Sequence, residues 1–141
     1  MPYITSWEKE GIYCTHNGIV THQEIFDFNN EFYGDSRSDS ALYQIVDLLD
    51  IEGIEFDEVT MHQISYMDYA SSKSINGLKV AFICKAPDVV EQLNSYIQNS
   101  IKLQTTWSFE IFDDIRSARD WVKNQFIFKC MNKQTNSNSL N

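Results

Sequence analysis

The sequence predicts an α/β fold with a mixed, mostly parallel sheet, an antiparallel hairpin at its start and about four helices. Three observations predict it. Apolar runs of strand length alternate with stretches whose apolar residues recur at helical spacing, the pattern of β-α-β units. The runs Leu42–Leu49 and Leu78–Cys84 are mostly apolar, as expected of strands covered on both faces. Tyr3 to Thr21 instead gathers β-branched and aromatic residues around turn signals, as a hairpin does.

Each element follows in order. Ile4-Thr5-Ser6-Trp7 and Gly11-Ile12-Tyr13-Cys14-Thr15 read as paired strands around the polar turn Glu8-Lys9-Glu10-Gly11. Asn17-Gly18 tolerates positive φ and reads as a second turn, with Ile19-Val20 a short return to extended chain. Thr21-His22-Gln23-Glu24 matches a capping box, in which the Thr21 hydroxyl accepts from the Glu24 amide and the Glu24 carboxylate reaches back. Ile25, Phe28 and Phe32 then form the stripe of a helix that ends in the polar loop Gly34 to Ser40.

After the run Leu42–Leu49, an acidic loop leads to a second helix from about Asp57 to Ser71, with Met61, Ile64 and Met67 on one side. Asn76-Gly77 is a turn before the strand Leu78–Cys84. Pro87-Asp88 opens a third helix on the spacing Val90, Leu93, Ile97 and Ile101, with Pro in the first turn, where its missing N–H is harmless. Trp107, Phe109 and Ile111 alternate with Ser108 and Glu110, a strand with one wet face. Asp113 or Asp114 caps a last helix bearing Ile115, Ala118 and Val122.

Residues 1–128 read as a single domain and 129–141 as a polar, disordered tail. The net charge of −9 repels phosphate backbones and anionic lipids, so neither nucleic acid nor a polybasic membrane contact is expected. No run has the length of a membrane span. The N-terminus lacks a signal pattern, and Cys14, Cys84 and Cys130 show no paired spacing, so the cytoplasm is the expected compartment. No metal is expected, because His16, His22 and His62 are not placed to complete a zinc site.

The element order resembles the STAS superfamily, in its SpoIIAA-like branch of small bacterial proteins. Gly18 to Glu24, Val46-Asp47, Leu78 to Ile83 and the closing run Phe112 to Val122, with its acidic cap and Ala-x-x-Trp helix, carry the resemblance. It spans about residues 3–125 and implies a four-helix STAS-like fold and a non-enzymatic role without cofactor. Antagonists of anti-sigma factors in the superfamily are switched by phosphorylation of a Ser capping the helix after the third strand. The corresponding segment here is Asp57-Glu58-Val59-Thr60, so Thr60 is the nearest hydroxyl and the phospho-Ser is missing. The branch also resembles CRAL-TRIO lipid-transfer domains, which implies carriage of small hydrophobic ligands.

The expected function is therefore binding or regulation. In α/β sheets ligands tend to sit at the carboxyl ends of the strands. That edge and the second helix would form the contact surface, with Asp57, Glu58, Met61, Ile64, Met67 and Lys85 as its residues. The partner would be a small hydrophobic molecule or, alternatively, a protein with a basic surface. Met is adaptable and suits an irregular apolar ligand, and Tyr66 and Tyr69 stand beside the same stripe.

Two features admit an enzyme instead. Asp47, Asp50, Glu52, Glu55, Asp57 and Glu58 put six carboxylates in twelve residues, which read as a solvated loop or, alternatively, as a cation site or acid–base pair. A calcium loop needs Gly at its sixth position, and Gly53 would put Leu48 first, so that template fails. Cys84 beside Lys85 could be an activated thiol, but no base is placed for it and a small buried hydrophobe is the simpler reading.

Overall fold

The computed structural model describes residues 3–123. Its strands are β1 (Tyr3–Trp7), β2 (Gly11–Thr21), β3 (Tyr43–Glu55), β4 (Lys79–Ile83) and β5 (Ser108–Phe112). The helices are α1 (His22–Tyr33), α2 (Glu58–Ser72), α3 (Pro87–Lys102) and α4 (115–123), with a short 3-10 helix at Ser36–Ser40 between α1 and β3. The expected tail 129–141 and Cys130 lie outside the described residues.

The strands lie in one sheet in chain order, β1-β2-β3-β4-β5, with β1 antiparallel to β2 and the others parallel. Parallel crossovers share one hand, so a sheet whose order never reverses receives every crossover helix on the same face. Phe28 and Phe32 of α1, Met61 and Ile64 of α2, and Val89 and Leu93 of α3 accordingly share one core with Ile12, Val46, Val80 and Phe82. The other face is left to α4, whose Ala118 and Val122 pack on Ile45, Ala81 and Ile83. Strand order without reversal also leaves no switch-point crevice among the parallel strands, which moves attention from the sheet edge to the covered face.

Several expectations are corrected. Asn17-Gly18 does not end the strand: β2 runs through it, and Gly18 keeps its positive φ of 65° inside the strand. From Thr15 to Asn17, and again from Gly18 to Ile19, β3 advances one residue more than β2, so the irregularities are bulges carried by β3. The acidic loop is mostly strand, since Asp50 to Glu55 pair with Asn17 to Thr21. Its Asp50, Glu52 and Glu55 are exposed, whereas Asp47 is buried and accepts from the Tyr13 hydroxyl.

The capping box forms by half. Thr21 Oγ1 accepts from the Glu24 amide at 3.2 Å, but the Glu24 carboxylate turns inward to His16 instead of back to Thr21. The buried face of α3 is Val89, Leu93, Tyr96, Ile97 and Ser100; Val90 is half-buried and Ile101 is exposed, so the stripe is rotated from the expected one. Ile115 of α4 is likewise exposed, and Asp114 is the cap, accepting from the Ser117 amide at 2.7 Å.

A bidentate pair holds the α4 side together: Arg119 donates to both oxygens of Glu8, which also accepts from the Tyr43 hydroxyl. These contacts tie the β1–β2 turn to α4 and β3.

A candidate ligand cavity beneath the second helix

Helix α2 starts at Asp57, whose side chain accepts from the Thr60 amide at 2.9 Å. Its buried residues are Met61, Ile64, Ser65, Asp68 and Ser72. At ~100° per residue Asp68 lies about 20° from Met61 on the helix circumference, and Met67 about 120° away. Position 67 therefore leaves the buried face and position 68 enters it. Met67 is half-buried and outside the cavity described next.

Between the sheet and the helices lies a cavity of about 80 Å³. Its walls are largely apolar: Val46 and Leu48 of β3, Val80 and Phe82 of β4, and Phe28, Met61, Ile64 and Leu93 of the helices. A water molecule needs roughly 10–15 Å³ by the same kind of measure, so several atoms fit.

Polar groups from α1, α2, α3 and the sheet interrupt this wall. Asp68 is 7% exposed and lines the cavity. It accepts from the Tyr33 hydroxyl of α1 at 2.7 Å and from the Tyr96 hydroxyl of α3. Burial pushes its carboxyl up to about 6, against the opposing effect of the two tyrosine hydrogen bonds. The same burial, and the neighbouring carboxylate, raise both phenols. No Lys, Arg or His among the described residues forms an ion pair with Asp68.

His16, also in the wall, is held by Glu24 at Nδ1, and its Nε2 lies 3.3 Å from Cys14 Sγ. Both members of the pair are almost fully buried. Asn29 of α1 lines the cavity at 5% exposure, and its Nδ2 has no hydrogen-bond partner among the described residues. Gln44 of β3 completes the polar lining.

The structure thus divides the expected site residues. Met61 and Ile64 reach the cavity. Asp57, Glu58 and Lys85 are exposed and stand apart from it, as does half-buried Thr60 in the first turn of α2. Tyr66 is exposed and Tyr69 half-buried, neither lining the cavity. Cys84 is buried, and that burial raises its thiol, the direction opposite to nucleophilic activation. Among the described residues no group of three His, Cys, Asp or Glu side chains is placed to hold a metal ion. No described helix is long and apolar enough to cross a membrane.

Sequence reasoning missed His16, Glu24, Asn29, Asp68 and Tyr96. The alternation Ile12, Cys14, His16 carried the signal for the first, since it sets His16 on the core face. The spacing 61, 64, 68 carried it for Asp68, but a charged residue at a core position is set aside when apolar stripes are sought.

No family model matches the chain, and no curated protein matches it. Among solved structures the chain is similar to the crystal structure of an uncharacterized protein from the DUF3478 family with a SpoIIAA-like fold from Shewanella loihica PV-4. The identity is 14%, the match covers 85% of this chain and 91% of that chain, and the TM-score is 0.51. The likeness is one of fold.

Proposed function

We propose that this SpoIIAA-like chain is a non-enzymatic binding module that holds a small, largely apolar ligand in the cavity beneath α2. One observation carries the reading: a space of about 80 Å³ lies in the main core, and the buried Asn29 Nδ2 in its wall has no partner among the described residues. An occupant would set its apolar surface against these walls and its acceptor against Asn29 Nδ2. An apolar wall with a few convergent polar groups is also the usual make-up of a small-molecule site.

Burial raises the thiols of Cys14 and Cys84, the direction opposite to nucleophilic activation, which supports a role without catalysis. The alternative of a protein partner with a basic surface is favoured by the outer face of α2. There Val59 and Tyr66 are exposed beside Asp57 and Glu58.

The test is a methyl-resolved NMR titration with benzene as probe, followed at Ile64, Val46 and Leu48. The reading expects saturable shifts at these methyls. Their absence up to the solubility of benzene would show a closed core and leave the outer face of α2 as the place to look.

A further inference from the structure

We infer that the occupant of this cavity is a small organic ammonium ion, with its charge against Asp68 and its apolar part against the surrounding rings and aliphatic side chains. The inference rests on the cavity being a ligand site and adds the chemical class of the ligand.

Asp68 carries it. A carboxyl buried in a core is normally paired with a cation, because removal from water otherwise costs several kcal/mol. Among the described residues Asp68 has only phenol donors, Tyr33 from α1 and Tyr96 from α3. Each of its oxygens retains room for a second hydrogen bond beyond the one it accepts. Of the other titratable groups facing this space, His16 is already engaged by Glu24. Among the described residues nothing therefore supplies the missing positive charge.

The walls suit the same occupant. Phe28, Phe56, Phe82 and Tyr96 all line the cavity. Aromatic faces attract ammonium groups, most strongly where water is excluded. The chain's net charge of −9 draws cations toward the protein and repels anions. A carboxylate ligand such as a short fatty acid would meet Asp68 as a like charge in a poorly solvated space, which disfavours it.

The experiment compares three probes of matched length, n-butylamine, 1-butanol and butyrate, by NMR titration of the full chain at pH 7.5. The inference expects butylammonium to bind about tenfold tighter than butanol, a gain within reach of cation–π contacts and a charge-assisted hydrogen bond to Asp68 once desolvation is met. It expects butyrate to bind weakest. In Asp68→Asn the preference for the amine should vanish while butanol binding persists. Should that variant not fold, a pH series on the unaltered chain gives the same reading. Protonation of Asp68, whose carboxyl titrates near 6, should cut the preference for the amine by up to about tenfold between pH 7.5 and 5.

Equal binding of amine and alcohol, or tighter butyrate binding, overturns the inference and leaves the cavity reading standing. If all three probes, and benzene with them, leave the cavity resonances unmoved, both readings fall.

Discussion

The Tyr33 hydroxyl of α1 donates to Asp68 Oδ1 of α2 across 2.7 Å, joining two helices whose residues lie 35 apart in the chain. Tyr96 of α3 donates to the other oxygen, so one buried carboxyl ties together all three helices on this face of the sheet. The helices are thereby fixed around the cavity by a polar contact and not by apolar packing alone.

That carboxyl should make stability depend on pH in an unusual sense. Its folded value of about 6 lies above the ordinary 3.8, so the folded state favours the protonated form. The stabilisation is complete below about pH 4 and is lost as pH rises through 6. Denaturant unfolding of the unaltered chain and of Asp68→Asn, compared between pH 4 and 7.5, should show the unaltered chain losing on the order of 3 kcal/mol relative to the variant. A constant difference across that range would count against a raised carboxyl at this position.

The His16–Glu24 pair should matter more than the helix cap beside it. Glu24→Ala leaves the Thr21 cap intact, because that cap uses the Glu24 backbone amide, yet strands a buried imidazole. We expect a loss of about 3–5 kcal/mol, against about 1 kcal/mol for Thr21→Ala. Glu24→Gln, which can still accept from His16, should fall between them. Urea midpoints for the three variants check the order.

Ile64 stands in the cavity wall. Ile64→Ala should destabilise by about 2–5 kcal/mol and enlarge the space. Recovery of part of that loss on adding toluene, a probe larger than benzene, would be read as a rise in melting temperature. No recovery would mean the wall collapses onto the space.

Gly11 marks a close approach at the start of β2. A Cβ there would stand 2.3 Å from the Tyr43 carbonyl oxygen of the neighbouring strand, and backbone cannot yield as a side-chain tip can. Gly11→Ala should therefore destabilise by about 2 kcal/mol or more, with the loss concentrated in β2–β3 pairing. Hydrogen exchange at the β3 amides would locate it.

Much of this architecture is legible in the sequence, because strand and helix periods differ and the alternating segments imply a parallel sheet. The order of elements, the hairpin, Pro87 at the start of α3 and the resemblance of Gly18–Glu24 and Phe112–Val122 to SpoIIAA-like proteins all agree with the fold. The site was less legible. Met61 and Ile64 follow from spacing, but Asp68 is a charged residue at a core position, made tolerable by Tyr33 and Tyr96 from two other helices. Such partners come together only in three dimensions. The extension of β3 through its acidic half escaped for a related reason. Its carboxylates resemble a loop, and only bulged pairing with β2 shows them to be strand.

The most direct test of a ligand held in the cavity is native mass spectrometry of protein kept folded throughout purification, set against its denatured mass. Reproducible excess mass that disappears on denaturation is the predicted result, and its extraction would identify the cargo. The bare mass of the chain in every native preparation would contradict the account.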